Sequence, residues 1–196
     1  MNKSTIKLIA IIGALVFIVF FGISRYNGLV TNEEGVKGQW ANVENQYQRR
    51  ADLIPNLVAT VKGYAAHESE TLEGVVAARA KATQMTVSAD NLTPEKLQQY
   101  QAAQGQLSSA LGRLLMITEN YPDLKANQNF LELQAQLEGT ENRITTERGR
   151  FNDMAKAFNA SIRRLPNNVI AGFAGLERIP YFEAEQGSAT TPKVEF

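Results

Sequence analysis

The chain of 196 residues is long enough for one domain of ordinary size and carries 20 lysines and arginines against 20 aspartates and glutamates. It contains no cysteine and one histidine, which excludes disulfides, thiolate nucleophiles and cysteine-based zinc sites. All the acids lie beyond residue 32, so residues 31–196 hold 17 basic and 20 acidic side chains, a net charge of −3. This charge argues against a nucleic-acid-binding protein.

A run of uncharged residues near the N-terminus, LIAIIGALVFIVFFGI at positions 8–23, is the first predicted element. With its neighbours it reaches the length of about 20 residues that a bilayer-spanning helix needs. A cleaved signal peptide has the same basic start and apolar core, but no cleavage site of small residues follows this run. We therefore predict an uncleaved transmembrane anchor at residues 6–25, after a short cytoplasmic N-terminus at residues 1–5.

Positive charge predicts the orientation of this anchor. Lys3, Lys7 and the α-amino group precede the apolar run, whereas Arg25 and Lys37 follow it. The positive-inside rule then places the N-terminus in the cytoplasm and the large domain outside.

The region after the anchor has apolar residues at steps of three and four, which is typical of helices packed side by side. Asn32 is predicted to cap the first helix, and Pro55 to kink this helix without ending it. A break is expected near residues 67–69. The apolar positions of this first helix are Val36, Trp40, Val43, Tyr47, Ile54, Val58, Val61 and Ala65.

Two further long helices are predicted after a loop at residues 85–93. Thr93, followed by proline and glutamate, is the expected cap of one of them, and the other begins near Asn127 and runs to Pro166. Their apolar positions are Leu97, Tyr100, Leu107, Leu111 and Leu114, then Phe130, Leu133, Leu137, Ile144, Phe151, Phe158, Ile162 and Leu165. We expect the core to include Trp40, Leu111, Phe130, Phe151 and Phe158.

These patterns predict an all-α fold in which an N-terminal transmembrane helix is followed by an antiparallel bundle of long helices at residues 31–165. The bundle has four helices if the chain turns near residues 67–69 and three if it continues. Residues 166–196 are predicted as a short helix and an extended C-terminal tail.

Polar residues interrupt the predicted bundle in three clusters. Di-metal helical bundles use Glu-x-x-His pairs, and this chain has none because Tyr64 stands three residues before His67. We therefore expect no metal or other cofactor, and we interpret the clusters as hydrogen-bonded pairs that fix the register of the helices. A hydrolase that uses Glu141, His67 and Asp52 is an alternative. The candidate polar network comprises Arg49, Arg50, Asp52, Asn56, His67, Glu68, Glu141, Asn142 and Arg143.

The segment after Pro166 is a candidate for contact with the membrane surface. Ile170, Phe173 and Leu176 follow each other at steps of three, which is compatible with one helical face. That face would either dip among the lipid headgroups or cap the core of the bundle, and both interpretations stay open.

Several longer motifs resemble one known family of proteins. They are RRADLIPNLVATVKGYAAHE at 49–68, YPDLKANQNFLELQ at 121–134, LEGTENRI at 137–144 and PKVEF at 192–196. From about residue 26 onward, the sequence is similar to the LemA family of bacterial membrane proteins. The resemblance implies a single-pass protein of the bacterial inner membrane with an antiparallel helical bundle, and no established activity or cofactor. It also implies genes close to those of membrane proteases.

We therefore expect a membrane-anchored scaffold or adaptor of the cell envelope and not an enzyme. Its expected partners are other membrane or envelope proteins, among them a membrane protease, further copies of itself and the lipid bilayer, but not nucleic acid. The alternative from another class is a lipid- or envelope-binding module that acts through the tail after Pro166.

Overall fold

The computed structural model describes residues 2–183, which form six α-helices and no β-strand. The closing PKVEF motif and most of the predicted extended tail lie outside the described residues. The all-α fold class is confirmed. The helices are α1 (Lys3–Tyr64), α2 (Ser69–Gln84), α3 (Pro94–Thr118), α4 (Pro122–Lys125), α5 (Gln128–Ser161) and α6 (Asn167–Ala174), with a short 3₁₀ turn at Ala89–Asn91 between α2 and α3.

Helix α1 is a single unbroken helix of 62 residues, about 93 Å long at 1.5 Å per residue. Its apolar N-terminal part is long enough to cross a membrane and buries none of its surface inside the protein. The prediction that Asn32 caps a new helix is wrong, because Asn32 lies within α1. No proline separates the anchor from the bundle, and Leu29 is already buried against the bundle, so the helix continues through this region.

The chain then reverses direction between successive long helices. Helix α1 leads away from the anchor, α2 returns, α3 leads away again, and α5 returns along α1. The turn at residues 65–68 decides in favour of four helices. Thr93 caps α3 by accepting a hydrogen bond from the backbone N–H of Lys96 (3.2 Å), and Asn127 caps α5 in the same way from Phe130 (3.0 Å).

The bundle core consists of two apolar clusters at different distances from the anchor. The proximal cluster, near the anchor, includes Leu29, Val36, Trp40, Val43, Tyr47, Val87, Leu97, Tyr100, Ile144, Phe151, Ala155, Phe158, Ile162, Ala171 and Phe182. The distal cluster includes Ile54, Leu57, Val61, Ala65, Leu72, Val75, Ala82, Leu107, Ala110, Leu111, Leu114, Leu124, Phe130 and Leu137. All five residues predicted for the core are buried. Leu165 is not, because α5 ends at Ser161 before reaching it.

Pro55 lies inside α1 and leaves one carbonyl group of α1 free to accept a hydrogen bond from α2. A proline has no N–H, so the carbonyl oxygen of Ala51, four residues earlier, has no partner within the helix. The Nε of Arg79 on α2 donates a hydrogen bond to this oxygen at 2.7 Å. As predicted, α1 continues through the proline.

We expect the Arg79→Met substitution to lower the free energy of unfolding by about 1–3 kcal/mol, because it leaves the Ala51 carbonyl without a donor. In a Pro55→Ala background the same substitution should cost much less, since the alanine supplies a backbone N–H to that carbonyl. A double-mutant cycle, measured by chemical denaturation, tests this coupling. Additive effects of the two substitutions would contradict it.

Candidate functional site

Arg50 lies between the two apolar clusters, and only 1% of its surface is exposed. Its Nη1 donates to the hydroxyl of Ser108 and to the carboxylate of Glu141, both at 2.6 Å. Its Nη2 donates to the side-chain oxygen of Gln104 at 2.6 Å and to the Gln104 carbonyl at 3.2 Å. One guanidinium therefore joins α1, α3 and α5. We call Arg50, Gln104, Ser108 and Glu141 the polar layer.

Polar side chains take the place of apolar ones at one level of each long helix. Arg50 lies between the core residues Tyr47 and Ile54 of α1, Gln104 between Tyr100 and Leu107 of α3, and Glu141 between Leu137 and Ile144 of α5. Large core side chains are also seven residues apart elsewhere, as from Ile144 to Phe151, so this spacing alone does not single out the level of the layer. Gln104 and Ser108 were therefore not predicted from the sequence.

Aromatic rings border the layer on its proximal side. The ring of Tyr47 lies 5.2 Å from the guanidinium carbon of Arg50, a distance suited to a cation–π contact. Tyr100 packs edge-on against Tyr47, with their ring centroids 5.4 Å apart. Burial raises the pKa of the Tyr100 phenol and also that of the neighbouring Glu44 carboxyl. Tyr100 therefore stays protonated at neutral pH.

Of the nine residues predicted for the polar network, the structure brings Arg50 and Glu141 together in the layer. The other seven do not join it. Glu68 is half-buried at the distal turn and accepts a hydrogen bond from the Tyr121 hydroxyl (2.9 Å), while Asp52 accepts one from Gln48 (2.7 Å) on the surface of α1. The remaining five are exposed: Arg49, Asn56, His67, Asn142 and Arg143.

Helix geometry explains this separation. Each residue rotates the side-chain direction by about 100°, so Arg49 and Asp52 point away from the interior that Arg50 faces. His67 lies in the turn after α1, about 26 Å along the helix axis from Arg50. The three residues of the alternative hydrolase, Glu141, His67 and Asp52, therefore lie at three different places.

The space between Arg50 and Glu141 is small, although a separate groove of about 330 Å³ borders Gln104 on the side of Glu44 and Ala82. The cavity beside Arg50 measures about 50 Å³, whereas pockets that take drug-sized ligands typically measure about 300–1,000 Å³. Within residues 2–183, no three histidine, aspartate or glutamate side chains are grouped so that they could hold a metal ion. The geometry of the layer is that of a hydrogen-bonded connection between helices.

The second predicted site, on α6, differs in detail from the prediction. Ile170 and Leu176 are partly buried against the proximal cluster, whereas Phe173 is 92% exposed. Steps of three drift by about 60° each around a helix, and α6 ends at Ala174, with Gly175 as its cap, before Leu176 is reached. The three residues therefore do not form one exposed face.

A different apolar group is exposed at this end of the bundle. Val169 and Phe173, four residues apart, lie on the same side of α6, and Leu165 in the preceding turn is 80% exposed. Helix α6 packs on α1, and the proximal cluster joins Ala171 of α6 with Leu29. Leu29 lies six residues, about 9 Å, beyond the apolar run. We call Leu165, Val169 and Phe173 the α6 patch.

Within residues 2–183, a helix that is long and apolar enough to span a membrane is continued by a four-helix bundle, which defines a helical-bundle membrane protein. Residues 39–196 match the LemA family, and the chain belongs to this family. The match begins within α1, beyond the apolar run.

Curated relatives extend the similarity to the anchor. Magnetosome protein MamQ of Magnetospirillum gryphiswaldense is 28% identical over 98% of this chain and 77% of its own length. Magnetosome protein MamQ 1 of Paramagnetospirillum magneticum has the same identity and coverage. Protein LemA of Metamycoplasma hominis is 25% identical over 85% of this chain and 73% of its own length.

The polar layer predicts unequal effects of removing its two charges. Glu141→Ala should lower the free energy of unfolding by about 1–3 kcal/mol, because it strips the buried guanidinium of its carboxylate. The cost stays below that of a fully buried pair because the Glu141 side chain is 41% exposed. Arg50→Met, which leaves no buried charge, should cost less than Glu141→Ala. Urea denaturation of both variants measures the difference. If Arg50→Met lowered the free energy of unfolding more than Glu141→Ala, Arg50 would stabilise the bundle in addition to fixing the register of its helices.

Proposed function

We propose that this protein is a scaffold that holds partner proteins at a fixed height and orientation on the membrane. The observation that carries the proposal is the continuity of α1, which contains both the apolar run and one side of the bundle core. A helix of this kind passes its orientation in the membrane directly to the bundle, which a flexible linker would not do. Two of the relatives are named for a cellular structure, the magnetosome, and not for a reaction, which also favours a structural role.

In this proposal the N-terminus lies in the cytoplasm of a bacterial cell and the bundle lies outside the inner membrane. The positions of the basic residues support this orientation. Lys3 and Lys7 precede the apolar run, whereas Arg25 directly follows it and Lys37 lies 14 residues beyond its end. Lys37 is part of the bundle: its ammonium group contacts carboxylates of Asp90 (2.9 Å) and Glu34 (3.1 Å), and these bonds raise its pKa. The proposed partners are other envelope proteins, a membrane protease among them, and further copies of this chain.

The rigid coupling can be tested by lengthening α1 between the anchor and the bundle. Two alanines inserted after Asn27 rotate the bundle by about 200° relative to the anchor, whereas four alanines rotate it by about 40° beyond a full turn. Single cysteines at exposed positions such as Ala126 and Thr145 would be treated in intact cells with a membrane-impermeant thiol-to-amine crosslinker. We expect discrete crosslinked proteins, lost after the insertion of two residues and retained after the insertion of four.

Two controls accompany this experiment. The melting temperature of the bundle should be the same in both insertion variants, since the insertion lies before Leu29. Cysteine at Ser4, on the cytoplasmic side in this proposal, should not react with the impermeant reagent. Crosslinks that are indifferent to both insertions would contradict a rigid scaffold, and labelling at Ser4 but not at Ala126 would reverse the orientation.

A second candidate function, direct contact with the bilayer surface, is favoured by the α6 patch. An exposed apolar group next to the anchor is expected to lie at the level of the lipid headgroups. Arg163, Arg164 and Arg178 are exposed around α6 and would face anionic lipids. Contact of this kind would fix the tilt of the bundle and so serve the scaffold function.

A dye that reports on its surroundings, attached to Phe173→Cys in the cysteine-free chain, tests this contact. In nanodiscs we expect a blue-shifted emission that strengthens when phosphatidylglycerol replaces phosphatidylcholine and weakens in Arg163→Ala/Arg164→Ala. Val76→Cys is the matched control, because Val76 is an exposed apolar residue on α2 near the distal cluster. Emission typical of water at position 173 in both lipids would assign the α6 patch to another role.

A further inference from the structure

Residues 177–183, which we call the strap, have no regular secondary structure, and side chains of α5 bind the main chain of this segment. The side-chain amide of Asn159 donates to the carbonyl of Ile179 (2.8 Å) and accepts from the N–H of the same residue (2.9 Å). Asn152 makes the same pair of bonds with Phe182, at 3.0 and 2.9 Å. Each asparagine therefore binds both polar groups of one strap residue, as a neighbouring β-strand would do.

The spacing of the two asparagines fits an extended peptide. Asn152 and Asn159 are seven residues apart on α5, about 10.5 Å along one helix face. Ile179 and Phe182 are three residues apart, about 10 Å in an extended chain. Helix α5 thus carries two side-chain amides, which we call amide clamps, at the spacing of residues three apart in an extended peptide.

Phe182 anchors the strap in an aromatic pocket. Its ring stacks on Trp40 with centroids 5.7 Å apart and meets the ring of Phe151 edge-on at 5.5 Å. The guanidinium carbon of Arg148 lies 4.8 Å from the centroid of the Phe182 ring. Only 6% of Phe182 is exposed, whereas its neighbour Tyr181 is 38% exposed.

The end of the strap is also bound through its main chain. The carbonyl of Glu183 accepts hydrogen bonds from the side-chain amide of Gln101 on α3 (2.8 Å) and from Arg148 (3.1 Å). Clamps on the backbone with one aromatic pocket are the elements of a peptide-recognition site, in which main-chain bonds give affinity and the pocket gives specificity. The strap groove is the surface formed by Asn152, Asn159, Gln101, Arg148, Trp40 and Phe151.

We propose that the strap groove is a peptide-binding site that, in an assembly, takes the strap of a second copy of this chain. Every copy carries a segment that fits the groove, and an exchanged strap re-forms the same contacts that it makes within its own chain. The anchor confines all copies to one plane and holds their grooves at the same height, which raises the effective concentration of straps. This inference rests on the proposed scaffold function and names its mode of self-association.

Cysteine pairs split between two copies test the exchange in the full-length, cysteine-free chain. One copy carries Gln101→Cys in the groove, and a differently tagged copy carries Glu183→Cys on the strap. After co-expression, a short bifunctional thiol reagent is added to the membranes. We expect a crosslinked dimer that contains both tags. The matched control is Gln99→Cys, which is exposed on the same helix but about 200° away from Gln101, and it should give little dimer.

Two sets of variants assign the dimer to the groove. Asn152→Ala/Asn159→Ala in the Gln101→Cys copy should lower the yield of dimer at least about tenfold, because four main-chain hydrogen bonds are lost. Phe182→Ala in the Glu183→Cys copy should also lower it, and this variant leaves the groove of the other copy intact. Equal yields from Gln99→Cys and Gln101→Cys would overturn the proposal.

A chain with both cysteines, Gln101→Cys/Glu183→Cys, separates the remaining outcomes. If this chain crosslinks only within itself and the mixture of single variants gives no dimer, the strap stays in its own groove and the exchange is overturned. The scaffold function is judged separately, by crosslinks to partners and their dependence on the insertions in α1. Strap exchange without crosslinks to other proteins would support self-association and contradict the proposal of other envelope proteins as partners.

Discussion

Because α1 passes from the apolar run into the bundle without a break, every other helix has its height fixed relative to the membrane. Helix α5 packs along α1 and ends close to the anchor, and α6 follows at the same end. A loop in place of residues 24–31 would have left the tilt and rotation of the bundle undetermined. Burial of Leu29 against the bundle stabilises the helical segment that contains Gly28.

The second constraint on the bundle is the polar layer between its apolar clusters. A long bundle with a purely apolar seam can slide by one heptad at little cost, because each layer resembles the next. A buried guanidinium with partners on α3 and α5 allows one register, since any slip separates Arg50 from Glu141 and leaves a charge without its partner. Burial of Arg50 therefore lowers stability through the loss of its hydration, while its bonds favour a single arrangement of the helices.

Periodicity and capping residues were sufficient to predict the helical core from the sequence. Trp40, Phe151 and Phe158 lie where a heptad pattern places them, since apolar burial dominates at these positions. Helix ends were harder, because Asn32 satisfies the rule for a cap and yet lies inside a helix that tertiary packing extends. The strap was missed altogether. Asn152 and Asn159 bind main-chain atoms, and such bonds leave no periodic pattern in the sequence of the strap.

The two halves of the bundle differ in what their surfaces can do. Around the distal cluster, the described side chains pack helices against each other, and α2 contributes Leu72, Val75 and Ala82 to that packing. Near the anchor, α2 has already ended, and the loop after it is held by the Trp40 indole, which donates to the Val87 carbonyl at 2.8 Å. The missing helical length leaves α1, α3 and α5 incompletely covered there, and the strap fills part of that space with Phe182. A helix would have closed this side permanently, whereas an extended segment held by side-chain amides can be replaced by another of the same shape. The short α2 is thus the structural reason that a peptide groove exists at the membrane-proximal end.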